Sequence, residues 1–465
     1  MLNHIFYILA YNTFMKMKKY LLLSTITASL LLSQVTTANE TVADINASTS
    51  SQVAGSKDMV FIPYAFSTDS TGFSGGLGVI KQGFLQPQTT AIATLFYGAE
   101  QDTITNGQPD TANFSGGFAA LFDYLVPGTD RFLFSVLGLK SNFPKARYYL
   151  ENHTMDSDED AYTETSGDTD FVYATFKYVL PMGDGLDNPE GHYKLKNGFA
   201  VGREGYGGGT PFVTGRTSLG ITAFYEHNTF DNYIAPATGV NRSTDGLQEW
   251  DTNGLRFFVN HDNTDYDLNP SRGYQFNLQY SKDFGWGDSF QTWDFLEFKY
   301  NHYIDLPTFS FTQQNVLAMS FWTGYSFSWD TDATHDQFGY INDHRPPPWE
   351  GARLGGMFRM RGYNTDRFSD RAVIYGTLEY RAILDWNPFR KNEYIPIAVD
   401  WLQIVPFVEV GSVNEQYNGH LFNDMKFDVG IGLRAMVAQT PIRVDIAAGD
   451  EGVNFWVMVF QPFDF

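Results

Sequence analysis

From about Met59 onward the chain repeats one theme: segments of roughly ten residues in which apolar and polar side chains alternate, punctuated by Gly, Pro, Asn and Asp. Tyr274, Phe276, Leu278 and Tyr280 alternate with Gln275, Asn277, Gln279 and Ser281. Phe427, Val429, Ile431 and Leu433 alternate with Asp428, Gly430, Gly432 and Arg434, and Ile442, Val444 and Ile446 with Arg443 and Asp445. A period of two puts successive side chains on opposite faces of a strand, so each segment has one greasy and one wet face. In a soluble sandwich the greasy face would be the core. Here those faces carry Phe and Tyr throughout and the wet faces carry charges on successive strands, so apolar is assigned to lipid and polar to a lumen. Past residue 38 no apolar run reaches the ~20 residues of a spanning helix. A membrane chain without such helices must satisfy its backbone between strands, in a closed barrel.

The N-terminus supplies the address. Lys16, Lys18 and Lys19 precede the apolar run Tyr20 to Leu32, and Thr36-Thr37-Ala38 offers small residues for cleavage, so residues 1–38 read as a secretory signal. Met15 and Met17 stand directly before the basic region, and residues 1–14 read as a mis-called start. The apolar run is too short for a transmembrane anchor. Residues 39–58 form a short polar leader rich in Ser, Thr, Ala and Asn, unable to bury a core.

Composition fits a barrel wall. The chain has 41 Phe, 27 Tyr and 43 Gly, with only 18% charged residues, and its mean hydropathy of -0.27 is what two opposite faces average to. The absence of cysteine excludes disulfides, thiolate metal sites, cysteine nucleophiles and an N-terminal lipid on cysteine. An excess of 53 Asp plus Glu over 31 Lys plus Arg argues against nucleic acid as a partner. The acidic stretch from Asp156 to Asp170 reads as a solvated outer loop, with cation bridging to surface phosphates as the alternative.

The alternation gives an all-β chain, a transmembrane antiparallel β-barrel over residues 59–465. Strands are expected near 59–66, 74–82, 88–98, 113–123, 130–140, 169–180, 214–227, 253–262, 272–284, 289–304, 309–325, 371–384, 402–412, 425–437, 441–448 and 453–463, which makes sixteen. An even number puts both ends on the periplasmic side. The Gly-rich stretch 181–213 either hides a further strand or forms a long periplasmic excursion.

The longest loop lies between the eleventh and twelfth strands and carries Pro346-Pro347-Pro348-Trp349, Gly355-Gly356 and Met360-Arg361-Gly362-Tyr363. Loops of this length are functional or disordered, and its aromatics and glycines argue for order. If it folds into the lumen, Arg361 requires acidic partners, because an unpaired guanidinium there is costly. With Ile374, Leu378, Tyr380 and Ala382 toward lipid, Glu379 and Arg381 face inward; with Ile404, Val408 and Val410 outward, Glu409 does too. Two carboxylates beside the loop suit a clamp on Arg361; from spacing alone a solvated Arg361 stays open.

Enzyme motifs fail on context. Gly72-Phe73-Ser74-Gly75-Gly76 matches a nucleophile elbow in letters, but Leu77-Gly78-Val79-Ile80 continues it as a strand rather than a helix. His335 and His344, with Asp336 and Asp343, lack further ligands for a divalent cation. His261 and His302 have no serine at a telling spacing. We expect no catalytic residues, no metal and no cofactor.

Several segments together resemble the Omp85 superfamily, the bacterial surface antigen family of barrel-assembly and translocation proteins. They are Arg361-Gly362-Tyr363, Asp262-Asn263-Thr264-Asp265, Pro270-Ser271-Arg272-Gly273-Tyr274, Leu378-Glu379-Tyr380-Arg381, Val408-Glu409-Val410-Gly411-Ser412, Val429-Gly430-Ile431-Gly432-Leu433-Arg434 and Pro441-Ile442-Arg443-Val444-Asp445. The resemblance covers roughly residues 59–465. It implies that Arg361 pairs with acids on the next two strands, at Glu379 and Glu409; the second is often Asp in the family. Phe463-Asp464-Phe465 resembles the terminal aromatic signal read in barrel assembly, carried by Phe463 and Phe465. It further implies a bacterial outer-membrane location, contact with outer-membrane lipids or lipopolysaccharide, insertion by the barrel-assembly machinery and translocation or membrane biogenesis. Members typically carry periplasmic POTRA domains, and residues 39–58 have no room for one, so a POTRA-less subgroup with an unknown periplasmic partner is expected. A passive pore or lipid-handling barrel plugged by its long loop, and a structural surface barrel, stay open as alternatives.

Overall fold

The computed structural model describes residues 59–463 apart from 69–70, 106–107, 150–153, 161, 192–193, 204, 235–246, 333–342, 391–398, 438–439 and 460. The signal, the leader, His335, Asp336 and Phe465 lie outside the described residues.

One antiparallel sheet holds sixteen strands in chain order. The first half comprises β1 (Met59–Thr68), β2 (Gly72–Gln82), β3 (Thr90–Thr105), β4 (Gln108–Leu125), β5 (Phe132–Tyr148), β6 (Thr163–Val179), β7 (Arg216–Ile234) and β8 (Leu247–Thr264). The second half comprises β9 (Gly273–Asp283), β10 (Trp293–Leu306), β11 (Thr312–Tyr325), β12 (Ala372–Leu384), β13 (Val399–Asn414), β14 (Lys426–Val437), β15 (Thr440–Gly449) and β16 (Gly452–Val459). Every strand expected from the alternation has its counterpart.

The two faces are inverted relative to a soluble protein. On β9 Gln275, Asn277 and Gln279 are buried while Leu278 is 44% exposed. On β14 Phe427, Val429, Ile431 and Leu433 are exposed while Asp428 and Arg434 are buried. Lipid is the solvent of the outer face, so it is the polar side chains that need the interior.

Three expectations are corrected. Strands β3 to β8 run further toward the outside than the alternation revealed, because beyond the hydrocarbon both faces turn polar and the period-two signal fades. There the outward residues of neighbouring strands pair instead, Lys140 with Asp170 at 2.6 Å and Arg147 with Glu164 at 3.2 Å. Residues 163–170 are therefore strand rather than solvated loop. Of the two readings open for 181–213 the excursion holds: among its described residues there is no barrel strand but a short hairpin, Lys194–Lys196 paired with Phe199–Val201. Finally, β16 stops at Val459, and Gln461 and Phe463 turn into the barrel.

The lumen is not wet throughout. Phe96, Phe114, Phe143, Phe171, Trp293 and Trp322 point inward and form an apolar core with Leu354, Met360, Tyr363 and Phe368 from the long loop. That core is what the loop packs into.

Candidate functional site

The loop leaves β11 and re-enters β12 through a closed base, where the Ser326 N–H donates to the Arg371 carbonyl at 2.9 Å. Above it Ala352–Leu354 pairs with Phe368–Asp370 as a two-stranded ribbon. The ribbon continues into a tight reversal that only glycine permits: Gly355 has φ 113°, and a Cβ there would lie 2.0 Å from the Asn364 carbonyl oxygen. The reversal delivers Met360-Arg361-Gly362-Tyr363 into the middle of the barrel.

Arg361 is fully buried and uses each part of its fork. Nη2 donates to Glu379 on β12 at 2.9 Å, Nη1 to Asp445 on β15 at 2.7 Å, and Nε lies 3.2 Å from Glu409 on β13. Its backbone N–H also donates to Glu409, at 2.6 Å. The guanidinium stands 3.4 Å from the centroid of the Phe407 ring, which supplies a cation–π face where water is excluded. Its carbonyl accepts from Trp456 Nε1 on β16 at 2.7 Å. Trp456 thus explains the inward aromatic on the last strand: it is part of the loop's seat.

The carboxylates are shared further. Glu379 also accepts from Arg381 at 2.9 Å and Arg434 at 2.8 Å. Asp445 accepts from Arg443, whose other nitrogen donates to the Met357 carbonyl at 2.7 Å. Tyr375 donates to Glu409. Asp428 accepts the Gly362 N–H at 2.9 Å. Arg361, Arg381, Arg434 and Arg443 thus interleave with the carboxyl groups of Glu379, Glu409, Asp428 and Asp445 in one hydrogen-bonded set. The interleaving matters because isolated buried ions cost several kcal/mol each, whereas hydrogen-bonded sets of both signs offset that cost.

Gly362 is required for space rather than for φ. A Cβ would sit 2.6 Å from both the Asp428 Cβ and the Gly449 nitrogen. Tyr363 packs at Gly449, and its hydroxyl donates to Asp450 at 2.7 Å and lies 3.1 Å from the Phe427 carbonyl oxygen. Burial and the neighbouring Asp450 push the Tyr363 hydroxyl well above its ordinary value, so it stays a donor.

A second anchor, which the sequence reading missed, holds the other limb of the loop to the facing wall. Glu350 accepts from Arg256 on β8 at 2.5 Å, and Trp349 donates to Glu226 on β7 at 2.6 Å. Arg256 also reaches Glu226 at 3.0 Å and lies over the rings of Phe224 and Tyr173, 4.6 and 4.8 Å from their centroids. The Pro346-Pro347-Pro348 run just before it was the available signal: it stiffens the limb that presents both side chains. Arg367 adds a third tie, to Glu451 at 2.8 Å and the Ser157 carbonyl at 2.5 Å. The loop is a strap across the lumen.

The remaining candidates are structural. Ser74 lies within β2 and donates to the Thr71 carbonyl at 2.9 Å. His344 is engaged by Thr292 at 2.8 Å and His261 by Thr217 at 2.8 Å. Among the described residues no group of three or more His, Cys, Asp or Glu could hold a metal. Phe463 is buried against Tyr303; its carbonyl accepts from Asn301 at 2.5 Å, and Arg381 lies 4.7 Å from its ring centroid.

The described family model of the Omp85 superfamily domain matches residues 45–455. Among solved structures the chain is similar to BamA from Haemophilus ducreyi lacking POTRA domains 1–3, with 12% identity and a TM-score of 0.46, covering 87% of this chain and 69% of that one. It is similar to CdiB from Escherichia coli with 10% identity and a TM-score of 0.49, covering 86% of this chain and 61% of that one. For CdiB from Acinetobacter baumannii the identity is 11% and the TM-score 0.46, with 86% and 58% covered. Comparison with the curated proteins finds no match. The chain belongs to the Omp85 superfamily of bacterial outer-membrane barrels.

Proposed function

We propose that this barrel moves or inserts protein or lipid at the outer membrane, and that its long loop is a releasable strap holding the resting state closed. The observation that carries the reading is the hydrogen-bonded ionic seat of Arg361 on Glu379, Glu409 and Asp445. A permanently fixed plug is served as well or better by apolar packing, whereas a hydrogen-bonded ionic seat defines one register and can be exchanged for another. The loop, the inward-turned Gln461 and Phe463 and the hairpin between β6 and β7 together favour a gated barrel over a passive open pore. Cargo leaves through the seam between β1 and β16. Among the described residues no ladder joins those two strands, and β16 has only eight residues to offer.

Residues 1–38 act as the secretory signal, and outer-membrane lipid, including lipopolysaccharide, surrounds the apolar face. Phe463 and Phe465 serve the barrel-assembly machinery before the chain seals, after which Phe463 occupies its place beside Tyr303. A periplasmic partner brings cargo to the barrel. No step of this function is enzymatic.

The test is a covalent seam. The chain has no cysteine of its own, so cysteine pairs stepped along Met59–Thr68 and Gly452–Val459 can be oxidised without competing thiols. Locking the seam is expected to abolish function in a complementation or reconstitution assay and reduction to restore it. Full function with a quantitatively locked seam rules out lateral release.

A further inference from the structure

Residues 180–215 connect neighbouring strands, β6 and β7, yet their middle reaches the opposite rim. The first part is pinned to the near wall: Arg131, before β5, donates to the carbonyls of Gly185 at 2.6 Å and Leu186 at 2.9 Å, and the Asp184 N–H donates to Gly215 at 2.8 Å. The last part is pinned to the turn between β8 and β9. Arg203 donates to the Thr264 carbonyl at 3.2 Å, Arg272 to the Tyr206 carbonyl at 2.7 Å, and the Gly208 N–H to Asn263 at 3.0 Å. Between these fixed ends stands the hairpin. Its turn is Asn197-Gly198, both at positive φ (54° and 76°), the geometry that Asn-Gly favours and that matches strand twist.

The hairpin crosses the mouth. Leu195, Phe199 and Ala200 pack on Ile383 at the end of β12, Trp401 at the start of β13, Met436 at the end of β14, and Tyr266. Trp401 lies six strands round the wall from β7. At the tip the Trp401 indole N–H donates to the Gly198 carbonyl at 3.0 Å. Ile383, Trp401 and Met436 are all at the periplasmic ends of their strands, and all three are fully buried beneath the hairpin and beside Tyr266 and Leu268. Among the described residues the two ends are tied to backbone by hydrogen bonds, whereas the tip rests on apolar contacts and on the Trp401–Gly198 bond, the form of a hinge and a latch.

We propose that the hairpin of residues 194–201, with the described residues of 180–215 that tie it down, is a hinged lid over the periplasmic mouth of the barrel, latched on Trp401, so that entry from the periplasm requires the hairpin to lift off the rim of β12 to β14. The lid is independent of the strap above it and of what the barrel transports. It covers the floor where Asn269 joins Gln403 and Gln461, each at 3.2 Å.

The absence of native cysteine allows a direct test. In Met436→Cys the thiol sits under the lid; in Ser281→Cys it sits buried at the outer end of the lumen, near the end of β9. Both proteins, folded in detergent, are treated with a membrane-impermeant maleimide, alone and combined with Trp401→Phe or Trp401→Ala. The Met436→Cys thiol is expected to react slowly in the parent and about fivefold faster with Trp401→Phe, the shift set by one lost hydrogen bond. Trp401→Ala, which also removes the apolar contact, is expected to react faster still. The Ser281→Cys rate is expected to stay constant. Equal Met436→Cys rates in all three backgrounds overturn the lid. Equal acceleration at both thiols also overturns it, because that outcome reports a loosened barrel.

Discussion

Removing the charge of Arg361 while keeping its bulk, as in Arg361→Met, takes the shared cation from Glu379, Glu409 and Asp445. Glu409 loses most, because the described partners it keeps are the Tyr375 hydroxyl, the Asp428 carboxyl and the backbone N–H of residue 361, and none of these is a cation. Deleting one member of a buried ion pair costs roughly 3–5 kcal/mol, most of it the penalty of the charge left behind. If that cost falls on the docked state of the loop, the ratio of docked to released loop falls by roughly two to four powers of ten. Trypsin reads that ratio directly: Arg353, Arg359 and Arg367 lie in the strap, and cleavage of a transiently opened segment tracks its population when closing outpaces cleavage. Strap cleavage in folded Arg361→Met is expected to be at least about a hundredfold faster than in the parent. Glu409→Gln added to it removes the orphaned charge, and recovery of part of the loss, on the order of 1–3 kcal/mol of coupling, is expected. Unchanged cleavage in the single variant, or a double variant as labile as the sum of its singles, refutes the electrostatic seat and leaves apolar packing as what holds the strap.

Two further outcomes follow from the same geometry. Gly362→Ala leaves every charge in place but drives a methyl into Asp428 and Gly449, so it is expected to release the strap by an overpacking cost of about 1–3 kcal/mol that Glu409→Gln does not relieve. Asp370, at the loop base, is 2% exposed, and burial raises its carboxyl to about 6 against the hydrogen bond from the Arg371 N–H. With the folded value raised, the protonated form favours the folded base, so its contribution is present below the ordinary value of about 4 and is lost as pH rises through about 6. Asp370→Asn is expected to raise the temperature of the heat-modifiable gel shift at pH 7 and leave it unchanged near pH 4; an equal effect at both values contradicts the assignment.

Strand number, strand order and the choice of lumen face were legible in the chain because each rests on a local pattern of period two. Glu379 and Glu409 could be placed inward by that pattern, and so could Asp428, Arg434, Arg443 and Asp445, which stand on the wet faces of segments whose alternation is equally plain. Their convergence was not legible. Arg361 and Asp445 are 84 positions apart, Glu350 and Arg256 are 94, and Trp349 and Glu226 are 123, so their meeting depends on how the sheet curls and on the register of every strand between. The long outer ends of β3 to β8 were hidden for a different reason: where both faces meet water, no alternation marks them. The hairpin at Asn197-Gly198 had its turn written in two residues, but its reach to Trp401 depends on the width of the mouth it crosses. Local alternation alone specifies a lipid-facing barrel with a charged interior. That the interior charges meet in one hydrogen-bonded seat, and that the strap and the hairpin each reach from one wall to another, follows from how the curled sheet brings distant strands together.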